Sequence, residues 1–382
     1  MSQKKLVLIV GGGFAGRRAE RLLRDEFDVT LVDAKGFFEY TPSALRCMVE
    51  PNYAERCVIP QPQRVVIAAV ESINLENEQI DESRAKGVAH LNNGTTLAFD
   101  YCLLCLGSSY VAPIKPDPMN ASTASDRVEA YQRECERIQE AEDIVIVGGG
   151  TVGVELAAEI VGKWPKKKNV TLINSQGRLL SRMPEAAGRY AQQWLETRGC
   201  DMILQDRVMD WGNETAGNAR RIVTKNGRVI TAALLYSCIG FEHCSAPLAK
   251  LFPSAVSERG AVIVNDQLQV KGMPGVFAVG DCTNTGEEKN ALNADLQASL
   301  AAENIRRLAR GAALQTFPSG VCHGAWEPPS IACVSLYKWH GTMQFNGLVI
   351  NGRLPTVVKH MIENLQAAPD QHPEWRRSVW RC

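Results

Sequence analysis

Two glycine clusters are the parts of this 382-residue sequence most able to do chemistry. The motif GGGFAG follows the apolar run LVLIV, and GGGTVG follows DIVIV. Glycines at this spacing allow a tight strand-to-helix turn and a close approach to a diphosphate, whose charge the helix N-terminus stabilises. The sequence therefore predicts two nucleotide sites, with a ligand-free structural turn as the alternative for each. The glycines are Gly11, Gly13 and Gly16 in the first motif and Gly148, Gly150 and Gly153 in the second.

A polar residue ends the next β-branched run after each cluster, and the two residues differ. DVTLVD ends in Asp33, whose carboxylate would accept hydrogen bonds from an adenosine ribose. NVTLIN ends in Asn174 and is followed by Ser175, so no carboxylate there would repel the 2′-phosphate of NADPH. Arg178 is close enough in sequence to assist that phosphate. The second site is therefore predicted to accept NADPH as well as NADH.

Two further carboxylates each have a structural and a chemical interpretation. Glu155 follows Gly153 in the expected first helical turn, where it either interacts with the helix dipole or contacts a nicotinamide or flavin. Asp281 ends VFAVGD before a long helix predicted from about Ala291 to Arg310. It either caps a turn or bonds the ribityl chain of a flavin, with the helix N-terminus aimed at the flavin ring.

The duplication extends beyond the glycines to whole strand–helix–strand patterns, which indicates two copies of one α/β unit. The runs YCLLCLGSS and LLYSCIGF are buried-strand patterns that continue into Gly107 and Gly240, where the chain is expected to cross between domains. After the long helix the composition changes to Pro, Trp and Gly, which favours a small α+β domain. The predicted domains are 1–110 with 241–311, then 111–240, and finally 312–382.

Composition narrows the class of protein. Lys+Arg and Asp+Glu both count 42, so the net charge does not suggest a nucleic-acid partner. The 12 Cys have no disulfide-scaffold spacing and the start carries no secretory pattern, which predicts a cytoplasmic, reducing location. No metal site is predicted, because no second CxxC or His pair accompanies CLLC. No apolar run approaches the ~18 residues that a bilayer span needs, and Ser2 replaces a myristoylation glycine, so any membrane contact is expected to be peripheral.

The motifs GGGFAG, CLGSS, GGGTVGVELAAE, CIG and VGDC, in this order over about residues 5–310, resemble those of the pyridine-nucleotide-dependent flavoprotein reductases. ALRCMVEP, VTLINS and LQVKGMPGVFAVGDC are similar, more specifically, to the apoptosis-inducing-factor-related quinone reductases called ferroptosis suppressors, and next to type II NADH dehydrogenases. The resemblance implies two Rossmann-like domains of the glutathione reductase type, the second inserted in the first. It also implies bound FAD and a ping-pong reaction, in which NADH or NADPH gives a hydride to FAD and a quinone then takes two electrons.

The resemblance also implies site residues. Glu155 and Lys359 are the expected catalytic residues, Lys359 as a flavin-proximal lysine. The expected FAD-binding residues are Gly11, Gly13, Phe14, Ala15, Gly16, Asp33, Ala34, Lys35, Arg46, Val70, Leu106, Gly107, Gly280, Asp281, Lys289, Ala291 and Leu292. Those expected around the nicotinamide nucleotide are Gly148, Gly150, Thr151, Val152, Gly153, Asn174, Ser175 and Gly240.

Two other functions stay open at this point. A disulfide reductase of this fold would need two cysteines in FFEYTPSALRCMVEP, which holds Cys47 alone, so a single-cysteine disulfide or peroxide reductase is the first alternative. A signalling flavoprotein with low turnover is the second. The tail at 373–382 combines Trp with Arg, which suits a lipid interface, and a packed or disordered end explains it equally well.

Overall fold

The computed structural model of the chain describes residues 4–75, 86–111, 113–116, 122–212, 219–317 and 331–367. The tail at 373–382 lies outside these residues. No helix in the described ranges is long and apolar enough to span a membrane. The helices are α1 Phe14–Leu23, α2 Ala44–Cys47, α3 Ala54–Cys57, α4 Ala124–Glu140, α5 Thr151–Lys163, α6 Glu185–Glu196, α7 Ala246–Ala249, α8 Ala291–Ala309 and α9 Leu354–Ala367.

The strands form two parallel sheets and several small antiparallel ones. In chain order they are β1 Leu6–Val10, β2 Asp28–Asp33, β3 Phe37–Glu39, β4 Val58–Pro60, β5 Val66–Ile67, β6 Val70–Leu75, β7 Gly87–Leu91, β8 Thr96–Phe99, β9 Tyr101–Leu104, β10 Ser108–Ser109, β11 Asp143–Val147, β12 Asn169–Ile173, β13 Cys200–Ile203, β14 Val208–Asp210, β15 Arg220–Thr224, β16 Val229–Ala232, β17 Leu234–Ser237, β18 Glu242–His243, β19 Gln269–Val270, β20 Met273–Ala278, β21 Ile331–Leu336, β22 His340–Phe345 and β23 Leu348–Gly352.

The first parallel sheet has the strand order β19-β20-β9-β1-β2-β5, in which only β19 runs antiparallel to its neighbour. Its central strands β1 and β9 are apolar and buried on both faces, because one face packs against α1 and α8 and the other against β6-β7-β8. β20 lies beyond the whole second sheet in sequence, yet it pairs with β9. This topology is the one expected for an interrupted first unit, although the predicted domain boundaries stay a prediction.

The second parallel sheet has the order β13-β12-β11-β17 and repeats the construction of the first. In both units a three-stranded antiparallel sheet, β6-β7-β8 or β14-β15-β16, precedes the final parallel strand. The sequence analysis did not predict these small sheets, because their strands are short and only half-buried. The duplication is therefore more extensive than the glycine motifs alone indicate.

Residues 331–367 form the antiparallel sheet β21-β22-β23 and the helix α9, as the predicted α+β composition requires. The sheet lies between α9 on one face and α5 and α6 on the other. Val334 and Leu336 of β21 belong to the same buried cluster as Leu156 of α5. This packing places the C-terminal segment directly over the helix that begins at the second glycine motif.

Candidate nucleotide and redox site

The first glycine turn is built by two close backbone approaches. Gly11 has φ +106°, and a Cβ atom there would lie 2.2 Å from the carbonyl oxygen of Cys105. A Cβ atom on Gly16 would lie 1.8 Å from the carbonyl oxygen of Gly11. Gly13, in contrast, has no atom within 4 Å of its Cβ position. The outer two glycines are therefore required by packing, whereas Gly13 faces space that a ligand can fill.

The second turn repeats this arrangement. A Cβ atom on Gly148 would lie 2.6 Å from the carbonyl oxygen of Cys238, and one on Gly153 would lie 1.9 Å from that of Gly148. Gly150 is as open as Gly13. Thr151 and Val152 begin α5, and the positive helix end therefore faces the open side of the turn.

Asp33 lies at the end of β2, beside the first turn. Its Oδ2 accepts hydrogen bonds from the backbone N of Gly12 at 2.8 Å and from Nε2 of Gln61 at 3.1 Å. Burial raises the pKa of Asp33, and the Lys35 charge opposes that shift together with these hydrogen bonds. The carboxylate is thus held in one orientation at the edge of the sheet.

Gln61 is a residue that the sequence analysis missed. Its Nε2 donates to Asp33 and to the carbonyl oxygen of Gly12, while its buried Oε1 has no hydrogen-bond partner. A buried acceptor without a partner costs free energy, about 1–3 kcal/mol, unless a ligand supplies a donor. An adenosine hydroxyl or amino group would do so, and the residues present therefore fit a dinucleotide at Asp33. No motif in the sequence singled out Gln61.

Most of the other predicted FAD-binding residues meet at the same edge of the first sheet. The register places the ends of β1, β2, β9 and β20 side by side, with Val10 next to Val32 and Leu104. Val70 begins β6 two residues after Ala68, whose N donates to the carbonyl of Asp33 at 2.9 Å. The residues that follow these strands or begin the adjacent helices are Phe14, Ala15, Ala34, Lys35, Leu106, Gly107, Gly280, Asp281, Ala291 and Leu292.

Two predicted FAD-binding side chains are engaged elsewhere. The Arg46 guanidinium forms a buried bidentate ion pair with Glu159, at 2.5 and 2.7 Å, and donates to the carbonyl oxygen of Tyr337 at 2.7 Å. Lys289 donates to the carbonyl oxygen of Thr285 at 3.0 Å and to its Oγ1 at 2.8 Å. Their role at a cofactor stays a prediction; in the structure Arg46 joins α2 to α5, and Lys289 holds the loop before α8.

Asn174 occupies in the second unit the place of Asp33 in the first. Its Oδ1 accepts from the backbone N of Gly149 at 3.1 Å, and its Nδ2 donates to the carbonyls of Gln176 and Arg178 at 3.2 and 2.9 Å. The Arg178 guanidinium donates to three backbone carbonyls of its own loop, which leaves it poorly placed to assist a 2′-phosphate as predicted. Ser175 is exposed, and Gly240 follows β17 at the same sheet edge.

Glu155 and Lys359 lie 204 residues apart in sequence and form a shielded ion pair, with Nζ 2.6 Å from Oε1. The same oxygen accepts from the N and the Oγ of Ser335 at 2.7 and 2.9 Å. Burial lowers the pKa of Lys359, but the charges of Glu155, Cys333 and Glu159 and the hydrogen bond to Glu155 together outweigh burial, and the net shift is upward. Because α5 begins at Thr151, Glu155 is its fifth residue, which places it beyond the expected first turn.

The pair lines a small, open pocket. Three parts of the chain contribute: the segment 42–53 around α2, the helix α5, and the C-terminal segment. The buried Oγ1 of Thr356 has no hydrogen-bond partner here. The lining residues are Pro42, Ser43, Leu45, Arg46, Tyr53, Glu155, Glu159, Ser335, Thr356, Lys359 and His360.

A family model described as pyridine nucleotide-disulphide oxidoreductase matches residues 5–298. The chain belongs to this family. Ferroptosis suppressor protein 1 of Xenopus tropicalis is 31% identical over 363 residues, which cover 92% of each chain. The specific resemblance predicted from the sequence is therefore confirmed, and the protein is an NAD(P)H-dependent flavin oxidoreductase.

Solved structures show the same fold at low sequence identity. The sulfide:quinone oxidoreductase of Aquifex aeolicus is similar with a TM-score of 0.72 at 18% identity, over 99% of this chain and 96% of that one. NDH2 of Plasmodium falciparum, solved in complex with NADH, gives 0.69 at 12% identity over 99% of both chains. These likenesses show the architecture alone and do not identify the electron acceptor.

The family name refers to a disulphide, but Cys47, the cysteine that the sequence singles out, is poorly suited to reaction. Cys47 is fully buried, and a hydrogen bond with Cys57, burial and the nearby Glu39 all raise the pKa of its thiol. Cys57, equally buried, is a neighbour that was not among the predicted site residues.

In the part of the chain that the structure describes, no group of His, Cys, Asp and Glu could hold a metal ion.

The glycine turn yields a paired prediction. Gly16→Ala should destabilise the apoprotein by about 1–3 kcal/mol or more, because its methyl group meets a backbone carbonyl. Gly13→Ala should leave apoprotein stability unchanged, since Gly13 has φ −77° and open space around it, but should lower the flavin content. Denaturant unfolding and the flavin absorbance per protein measure the two effects. Full flavin content in Gly13→Ala would show that this position does not face the cofactor.

Proposed function

We propose that the protein is an FAD-dependent NAD(P)H:quinone oxidoreductase. The observation that carries this proposal is the order of polar groups along the edge of the first sheet. Asp33 and the unpartnered Oε1 of Gln61 suit an adenosine at one end, and Asp281 suits a ribityl chain at the other. The open Gly13 lies in the turn beside Asp33, where a diphosphate would pass. The sequence segments 1–110 and 241–311 would hold FAD, and 111–240 the pyridine nucleotide.

When bound, FAD would accept a hydride from NADH or NADPH and then deliver two electrons to the acceptor. The residues of this chain supply orientation and charge. α8 begins at Ala291 after an Asn290 cap and would direct its positive end at the flavin. Glu155 keeps Lys359 protonated, and the ammonium can donate a hydrogen bond to a carbonyl group in the pocket. Gly150 and Asn174 would hold the nicotinamide nucleotide at the second turn.

A quinone suits this site better than a thiol substrate does. The pocket combines apolar walls, Pro42 and Leu45, with the Lys359 ammonium, which would interact favourably with a quinone oxygen as negative charge develops on it. The fold neighbour from Aquifex aeolicus carries quinone in its name. Cys47 is fully buried and its pKa is raised, so a thiolate relay to an outside disulfide or peroxide is disfavoured.

The direct test is anaerobic reduction of purified protein. Yellow protein should bleach with NADH or NADPH and recover its absorbance on addition of a short-chain quinone, with multiple turnovers. Cys47→Ser should retain most of the quinone reductase activity, because no thiol takes part. Loss of that activity with flavin still bound would favour the single-cysteine reductase. A long-lived reduced complex without turnover would favour the signalling flavoprotein.

Glu155→Gln tests the ion pair. The variant should keep its flavin but be reduced by NADH at least about tenfold more slowly, since Lys359 loses its charged partner. Because the Glu155 carboxylate raises the pKa of Lys359, its removal should also shift the high-pH limit of activity to lower pH. Glu185→Gln, at an exposed ion pair in the first turn of α6, is the control. If stopped-flow absorbance gives equal rates of flavin reduction for Glu155→Gln and wild type, Glu155 has only a packing role.

Nucleotide choice tests the second turn. With no carboxylate at Asn174, kcat/KM for NADH and NADPH should agree within about tenfold, or ~1.4 kcal/mol. Ser175→Asp should shift the preference to NADH, whereas the uncharged Ser175→Asn should not. Position 175 is preferable to 174, because the Asn174 amide donates to two carbonyls that a carboxylate would repel. A wild-type protein that rejects NADPH by about a hundredfold or more would contradict this argument.

A further inference from the structure

Lys115 lies in the connection between β10 and α4, and nothing in its sequence surroundings drew attention to it. Its Nζ donates to the carbonyl oxygen and the Oγ of Ser108 at 2.8 and 2.7 Å. The same ammonium is 3.7 Å from Oδ2 of Asp281, and Ser108 Oγ donates to that oxygen at 2.7 Å. Lys115 is therefore at the point where β9 and β20 end, beside the carboxylate proposed to bind the ribityl chain.

Several charged side chains act on Lys115. Burial lowers the pKa of the Lys115 ammonium, the charge of Lys35 lowers it further, and Asp281 opposes both. Glu39 also acts on Lys115, but its carboxylate is already engaged with Arg127 and Tyr131. The ammonium groups of Lys115 and Lys35 thus repel each other near Asp281, and the Asp33 carboxylate also acts on Lys35. An anion between them would remove the repulsion and offset the cost of their burial.

The positions of the two lysines suggest which anion this is. Lys35 follows Asp33 at the adenosine end of the first site, and Lys115 lies beside Asp281 at the ribityl end. In FAD the group between adenosine and ribityl chain is the diphosphate. We propose that Lys115 is a cofactor-binding residue whose ammonium, together with that of Lys35, neutralises the diphosphate of FAD. This inference rests on the proposed function, in that FAD is taken as the resident flavin.

A merely structural lysine would behave differently, and the chain offers one for comparison. Lys168 donates to the carbonyl oxygens of Gln139 and Ala141, and burial lowers its pKa as well. It lies just before β12, at the end of that strand opposite Asn174. Both lysines tie loops to the body of the protein, but only Lys115 lies beside the proposed FAD site. Lys168→Gln is therefore the matched control for Lys115→Gln.

The experiment titrates apoprotein with FAD and measures binding by flavin fluorescence. Lys115→Gln can keep hydrogen bonds to Ser108 without the charge, and it should raise the Kd for FAD by about 10- to 100-fold. Lys115→Arg should recover most of the affinity, and Lys168→Gln should bind like wild type. The Kd of Lys115→Gln should also depend less steeply on salt than that of the wild type. Riboflavin, which lacks the diphosphate, should bind wild type and Lys115→Gln equally.

The outcomes distinguish a failure of this inference from a failure of the proposed function. If wild-type apoprotein does not bind FAD at all, the proposed function fails. If it binds FAD and Lys115→Gln has the same Kd and salt dependence, Lys115 is only a structural lysine. Equal weakening of FAD and riboflavin would likewise overturn the diphosphate contact. If Lys115→Gln does not fold, Lys115→Met and Lys115→Arg carry the same comparison, with loss expected in the first and retention in the second.

Discussion

At Gly16 and Gly153 the helix backbone packs directly against the turn before it. A Cβ atom at these positions would lie 1.8 and 1.9 Å from a backbone carbonyl oxygen of that turn. No side chain fits there, so these contacts fix how each helix leaves its strand. Each helix N-terminus consequently faces the carboxyl edge of its parallel sheet. The polar residues that end the neighbouring strands, Asp33 in the first unit and Asn174 in the second, are positioned with respect to that edge.

Buried ion pairs connect the two units to the C-terminal segment. Arg46 of α2 pairs with Glu159 of α5 and also reaches the carbonyl of Tyr337. Glu155, one helical turn before Glu159, pairs with Lys359 of α9. Removing one partner of a buried pair such as Arg46–Glu159 typically costs about 3–5 kcal/mol, because the other charge is left without compensation. These pairs therefore specify how the walls of the pocket meet.

The strand-end residues beside the two turns differ chemically. A carboxylate in the first turn and an amide in the second both accept a hydrogen bond from the glycine backbone, at 2.8 and 3.1 Å. The amide can in addition donate to two carbonyls of its loop, which the carboxylate cannot do. One backbone plan is thus repeated in the two units with strand-end residues that differ in charge.

The sequence by itself determined the features that local pattern encodes: the two glycine turns, the residues Asp33 and Asn174 at the strand ends, and the helix from Ala291 to Ala309. Each depends on residues close together in the chain, where strand periodicity and turn chemistry are visible. The resemblance to a family added the prediction that Glu155 and Lys359 are catalytic, but it did not predict that the two side chains form an ion pair. Only the tertiary structure brought Ser335 to Glu155, Gln61 to Asp33 and Lys115 to Asp281. Such contacts join segments tens to hundreds of residues apart, and side-chain types alone carry no signal for them, because the packing of whole sheets and helices decides which polar groups meet.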